Sequence, residues 1–232
     1  MNRAKIGWIV DVQNDFMLPP EEGGRLYVRD LFDASDAGAA QARERIEQAV
    51  AWMHEHCELL VYTGDWHAPD DAEIDAEDPD AARGTYPPHC MGLSDDPGER
   101  RGAEIIPSVA PEDPLILLRR ASETEARRVA REAVRTRRPV WIHKERFSVF
   151  EGNPGTDAFL DELGRALGRP LEIVVVGVAR DVCVTGAVDG MQARGYHTVA
   201  VRDATWGLGL EDEAATLARW AERGRVVSLA EL

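Results

Sequence analysis

The sequence predicts an α/β protein of three layers, α/β/α, around a mostly parallel sheet of about six strands. Three observations carry this. Apolar runs of strand length are continuous rather than alternating, as in strands buried on both faces. Segments with helical periodicity separate them. Polar residues of chemical type follow the ends of four runs, where sheets of this Rossmann-like kind bind their ligands.

Ile6-Gly7-Trp8-Ile9-Val10 reads as the first buried strand. Ala42, Ile46, Ala49, Val50 and Met53 then recur at helical spacing and predict a helix over about 37–56. A second strand is expected over 59–63. The stretch 68–113 is rich in Asp, Pro and Gly and is expected to be a long irregular excursion, which in compact domains is commonly functional or disordered. A short strand follows over 115–118. Ser122 with Glu125 resembles a capping box opening a helix to about 137. Strands are expected over 139–142, 171–176, 198–201 and 226–228, with helices over 182–194, ending at Gly195, and over 211–222. No repeat, linker or low-complexity segment interrupts the pattern, so one domain over 1–232 is the expected organisation.

The 232 residues, 44% of them hydrophobic, suffice for a sizeable core. The net charge of −15 repels phosphate backbones and anionic lipid surfaces, so neither nucleic acid nor membrane is an expected partner. No apolar run reaches the ~18 residues of a membrane span, and residues 1–5 lack the apolar core of a signal peptide. A cytoplasmic location is the expectation. Three cysteines, Cys57, Cys90 and Cys183, match neither a disulfide framework nor a zinc knuckle, and free thiols fit a reducing compartment. Lysine occurs only at Lys5 and Lys144 among 27 basic residues. An internal lysine in so arginine-rich a chain hints at a task for which Arg is unsuited, since a desolvated Lys can tune its pKa.

The residues that follow strands are Asp11, Asp65 with His67, Lys144, and Asp181 with Cys183. A thiol opening a helix would have its thiolate stabilised by the macrodipole and unpaired N–H groups; the alternative for Cys183 is a small core residue, as Cys57 is expected to be. With Asp11 as base and Lys144 as charge stabiliser, Cys183 would attack a carbonyl carbon. The backbone N–H groups of Ala179 and Cys183 would hold the oxyanion, and the acid–base pair would then serve amine departure and thioester hydrolysis. Asp65 and His67, two apart in an extended segment, face one side. A third ligand from Tyr86-Pro87-Pro88-His89-Cys90 would complete a catalytic-type set for a divalent metal, Zn²⁺ foremost, with Fe²⁺ or Mn²⁺ as alternatives. His54, His56, His143 and His197 read as surface or strand residues.

These motifs resemble the isochorismatase-like cysteine hydrolases, and within them the nicotinamidase/pyrazinamidase subgroup, over most of the chain. Asp11-Val12-Gln13-Asn14-Asp15-Phe16 is similar to the family's first motif, Lys144-Glu145-Arg146-Phe147-Ser148-Val149-Phe150 to its lysine motif, and Gly177-Val178-Ala179-Arg180-Asp181-Val182-Cys183-Val184 to its nucleophile motif. The resemblance implies an isochorismatase-like hydrolase fold, a catalytic triad of Asp11, Lys144 and Cys183, and a cis peptide between Val178 and Ala179. It implies Asp65, His67 and His89 as metal ligands, with position 73, here Glu73, as a possible further one. It also implies a substrate pocket with Phe16, Tyr86 and Val178. The implied activity is hydrolysis of nicotinamide or a related small ring amide to the acid and ammonia. The alternatives are another amide or ureido hydrolase of the same framework, or a non-catalytic metal-binding member. A homo-oligomer is expected. Two features depart from the family pattern: Tyr86 replaces the usual Trp, and the segment 115–138 reads as an inserted strand and helix.

Overall fold

The computed structural model describes residues 2–80 and 83–232; residue 1, and residues 81 and 82 of the expected excursion, lie outside them. The strands are β1 (Ala4–Val10), β2 (Leu59–Asp65), β3 (Leu115–Leu117), β4 (Val140–Lys144), β5 (Leu171–Val178), β6 (His197–Trp206) and β7 (Arg225–Val227). They form one seven-stranded sheet in the order β3-β4-β2-β1-β5-β6-β7, with every pairing parallel. The sheet has seven strands where about six were expected, and the short strand expected over 115–118 is present as Leu115–Leu117, paired with β4 at the edge.

The helices are α1 (Asn14–Met17), α2 (Ala40–His56), α3 (Pro97–Ala103), α4 (Glu123–Thr136), α5 (Val149–Gly152), α6 (Thr156–Leu167), α7 (Thr185–Ala193) and α8 (Glu213–Ala221). They divide between the two faces as the sequence patterns require. On β1, Ala4, Ile6, Trp8 and Val10 join an apolar cluster with Ala130 of α4, Phe159 of α6, Val188 of α7 and Trp220 of α8. Ile9 points the other way, into a cluster with Ala42, Ile46, Ala49, Val50 and Met53 of α2. Those five are the buried residues of α2 and the same five whose spacing predicts the helix. Ser122 caps α4 by accepting from Glu125 N–H at 3.2 Å. Among its described residues, the excursion after β2 holds one α-helix, α3, and two isolated bridges. None of the described helices is long and apolar enough to cross a membrane.

The order places β1 at the switch point, with β2, β4 and β3 leading off one side and β5, β6 and β7 off the other. A crevice at the carboxyl end of β1 is where such sheets hold ligands. The approach of β5 to β1 there depends on Gly177, which pairs with Val10. Its φ is +122°, and an added Cβ would lie 2.0 Å from the Val10 carbonyl oxygen. Gly177→Ala is expected to cost about 3 kcal/mol or more of stability in denaturant unfolding; a loss below about 1 kcal/mol would show that the two strands part easily at this point.

Candidate active site and metal centre

The strand register brings the charged residues together. Asp65 and Lys144 end β2 and β4 and are direct partners across that ladder. Asp11 lies one residue beyond β1 in a left-handed conformation (φ 51°), with its N–H donating to the Thr63 carbonyl at 3.3 Å. Its carboxylate accepts from the Thr63 hydroxyl at 2.7 Å and lies 2.9 Å from Lys144 Nζ. Lys144 Nζ also makes a short ion pair with Asp65 Oδ1, donates to the Arg146 carbonyl at 3.1 Å and stands 3.8 Å from Cys183 Sγ. Carboxylate oxygens of Asp11 and Asp65 and the thiol sulfur all lie within 4.8 Å of one another. All four side chains are buried.

Cys183 does not open a regular helix. A π-helical turn, Arg180–Val184, follows β5, and α7 begins only at Thr185. The sulfur's local field is therefore set by Lys144 and the two carboxylates, not chiefly by a helix terminus. The Val178–Ala179 peptide is cis.

The electrostatics correct a second expectation. Burial pushes the Cys183 thiol up; Lys144 opposes this, while Asp11 and Asp65 add to it. The resting group is the protonated thiol, beside Asp11. Burial raises Asp11 as well, against the pull of Lys144 and with Asp65 adding to the rise. Burial works to lower Lys144, but Asp11 and Asp65 outweigh it and hold the ammonium well above its ordinary value. Lys144 is thus a fixed cation and not a proton carrier. Cys57, at the end of α2, is pushed up to about 12 by burial, consistent with an inert core thiol.

Asp65 faces two ways. Oδ1 pairs with Lys144, while Oδ2 stands 3.9 Å from both His67 Nε2 and His89 Nε2. Burial tends to raise its pKa, but Lys144, His67 and His89 overcome this and hold the carboxyl low. Ligand atoms of Asp65, His67 and His89 lie within 4.8 Å of one another, and all three residues are buried. His89 Nδ1 contacts the Pro87 carbonyl at 2.7 Å; a carbonyl only accepts, so Nδ1 carries the proton and Nε2 presents its lone pair. Burial, with His67 adding to it, lowers His89 to about 4, so the ring is neutral. His67 is fully buried and neither ring nitrogen has a hydrogen-bond partner among the described residues. Two buried imidazoles and a carboxylate, with an orphaned nitrogen aimed at the other two ligands, fit a divalent cation of the Zn²⁺ or Fe²⁺ type. The Asp11, Asp65 and Cys183 group is a poorer cation site, because Lys144 already fills it with charge.

Neighbouring groups fix this frame. The Gln13 side chain accepts from Asp65 N–H at 2.8 Å and donates to the Asp65 and Ala103 carbonyls at 2.7 Å each. Asp15 Oδ2 accepts from Cys90 N–H at 2.6 Å, tying down the residue after His89. Cys90 O in turn accepts from His67 N–H at 2.9 Å.

Glu73 stands outside the group of close ligand atoms. Its Oε1 accepts from Phe147 N–H at 3.0 Å, and its Oε2 is buried without a hydrogen-bond partner among the described residues. Burial, with Asp65 adding to it, raises this carboxyl to about 8. Since the folded state holds this proton more tightly than the unfolded chain, Glu73 destabilises the fold progressively as pH rises from the ordinary carboxylate range to about 8. In chelator-stripped protein, Glu73→Gln is expected to flatten that part of the stability–pH curve; an unchanged curve would mean that Glu73 ionises freely.

A cavity of about 220 Å³ opens onto Cys183, Asp65 and His89. This is below the ~300–1,000 Å³ of sites for drug-sized ligands, so it suits a small one. Phe16, Tyr86 and Phe147 form an aromatic wall, with the Tyr86 ring set edge-on to both His89 and Phe147. Ala179, Val182 and Leu208 also line it, and no Lys or Arg is among the described lining residues. Phe16 and Tyr86 both line this cavity. Val178 does not: it is the last residue of β5, fully buried, and packs into the α2-side core. His143 lies on a strand as expected but is buried, stacked on Trp66. Sequence reasoning passed over the supporting contacts of Thr63, Gln13 and Phe147. Gln13 lies inside the first motif and Phe147 inside the lysine motif, but neither pattern by itself assigns a partner.

An isochorismatase-domain family model matches residues 118–231. Similar solved structures include nicotinamidase/pyrazinamidase PncA from Bacillus subtilis (18% identity, 97% of this chain and 100% of that one, TM-score 0.65). Pyrazinamidase of Pyrococcus horikoshii, solved in complex with zinc, is 23% identical over 97% of this chain and 99% of its own, with TM-score 0.63. N-carbamoylsarcosine amidase from Thermoplasma acidophilum is 20% identical over 97% and 96%, with TM-score 0.60. No curated protein sequence matches significantly.

Proposed function

We propose, from the premise that this chain belongs to the isochorismatase-like hydrolases, that it is a metal-dependent cysteine amidase for nicotinamide or a closely related small ring amide. The observation that carries this reading is the single carboxylate, Asp65, shared between the Lys144 side of the nucleophile and the two-histidine site. It sets a nucleophile and a metal site on one small cavity.

The amide carbonyl carbon lies against Cys183 Sγ. Asp11 takes the thiol proton as sulfur attacks, and Lys144, keeping its own proton, stabilises the charge passing between them. The N–H groups of Ala179 and Cys183 hold the oxyanion. Collapse breaks the C–N bond, and Asp11 passes its proton to the leaving nitrogen, releasing ammonia. Water then attacks the thioester, gives a proton to Asp11 and yields the acid; the proton returns to sulfur. A metal ion held by Asp65, His67 and His89 would supply a Lewis-acid anchor for a ring nitrogen. Phe16, Tyr86 and Phe147 give a flat ring an aromatic wall to pack on and help to exclude water.

The absence of a basic residue among the described lining residues favours a neutral amide over a ureido substrate carrying a carboxylate. Ammonia release is to be followed with nicotinamide, pyrazinamide, benzamide and N-carbamoylsarcosine. Turnover is expected for the first two, slower for benzamide, which lacks the ring nitrogen, and negligible for the carboxylated ureide. Preferred turnover of the ureide would replace the ring-amide reading, and ammonia from none of them would remove it.

A further inference from the structure

The two histidines of the metal site are oriented differently. His89 is held from behind by a backbone carbonyl. Behind His67 stands a carboxylate: Asp71 Oδ2 lies 3.4 Å from His67 Nδ1, on the side of the ring away from Asp65 and His89. Asp71 is itself buried, and its position is fixed from two directions. Ala68 N–H donates to Oδ2 at 2.8 Å, and Arg119 Nη1 makes a short ion pair with the same oxygen.

Arg119 comes from the turn between β3 and α4, inside the segment 115–138. Its side chain is 13% exposed, pairs also with Glu145 at 3.2 Å and donates to the Trp66 carbonyl at 3.4 Å. Glu145 follows Lys144 directly, and Trp66 precedes His67. One guanidinium thus ties together the chain at both metal-side strand ends. His67 Nδ1 has no aligned hydrogen bond, but a small turn of the ring makes its N–H donate to Asp71.

We propose that Asp71, aimed by Arg119, is a positioning residue for the metal site: it holds His67 through Nδ1, keeps Nε2 directed at Asp65 and His89, and so sets the affinity for the metal. The proposal rests on the metal reading above. A carboxylate behind a ligating imidazole fixes its tautomer and raises its basicity, and losing such a partner typically weakens metal binding ~10–100-fold. Arg119 makes the segment 115–138 a structural contributor to the site without lining the cavity.

The test is Zn²⁺ affinity of chelator-stripped protein, measured by competition with a chromophoric chelator, which needs no turnover. Asp71→Ala is expected to weaken binding ~10–100-fold and Asp71→Asn, which keeps the shape and loses the charge, ~10-fold. Arg119→Leu is expected to weaken it several-fold by leaving Asp71 unaimed. The visible spectrum of the Co²⁺-loaded protein should shift in Asp71→Asn, which a role confined to packing would not produce. Wild-type affinity and an unchanged spectrum in Asp71→Asn, with Zn²⁺ bound normally by the unmodified protein, would overturn the proposal alone. No Zn²⁺ binding by the unmodified protein would overturn the metal reading beneath it.

Discussion

Cys183→Ala is expected to abolish amide turnover, lowering kcat by about 10⁴-fold or more, while leaving Zn²⁺ affinity within about twofold of the unmodified protein. The two halves of this result come from different geometry. The sulfur faces Lys144 at 3.8 Å and lies close to Asp11, and Cys183 is the one thiol among the described lining residues of the cavity. It is absent from the group formed by Asp65, His67 and His89, so the metal site should not sense its loss. Ammonia assays and chelator competition on the same preparation read both. Retained turnover would remove Cys183 as nucleophile. Loss of metal would place the ion instead among Asp11, Asp65 and Cys183.

Lys144→Met is expected to fail twice. Activity should fall by about 10³-fold, since the charge opposite the thiolate disappears. Stability should fall by about 3–5 kcal/mol, because Asp11 and Asp65 are left buried together without their cation. Lys144 normally holds Asp65 low against its burial. In the variant both carboxyls rise, and the folded state binds protons that the unfolded chain releases. The penalty is then greatest at neutral pH and shrinks as pH falls into the ordinary carboxylate range. Urea unfolding at several pH values checks the sign. A loss independent of pH would mean that methionine disturbs packing and not charge.

Much of this arrangement is legible in the sequence because its signals are local. Continuous apolar runs such as Leu171-Glu172-Ile173-Val174-Val175-Val176 mark buried parallel strands, and the residues just after them must gather at one edge of the sheet. Asp11, Asp65, Lys144 and Cys183 were found that way. What remained hidden depends on pairing between distant segments. The register that sets Asp65 beside Lys144 is a property of the β2–β4 ladder and not of either strand alone. The partnership of Asp71 with Arg119 spans 48 residues and joins an acidic loop to a turn read as part of an insertion. The protonation state of Lys144 could not be read either: a lone buried lysine suggests a lowered pKa, and only the two carboxylates around it reverse the sign. Val178 illustrates the limit at the level of one residue. It stands next to the pocket residue Ala179, yet the alternation of the strand turns its side chain into the core.

The central claim, a cysteine amidase that depends on the Asp65, His67 and His89 site, is tested most directly by ammonia release from nicotinamide in three states of one preparation: metal-loaded, chelator-stripped and reconstituted with Zn²⁺. The account predicts release in the first, loss in the second and recovery in the third. No ammonia from protein shown by metal analysis to be loaded, or equal release from the stripped form, would contradict it.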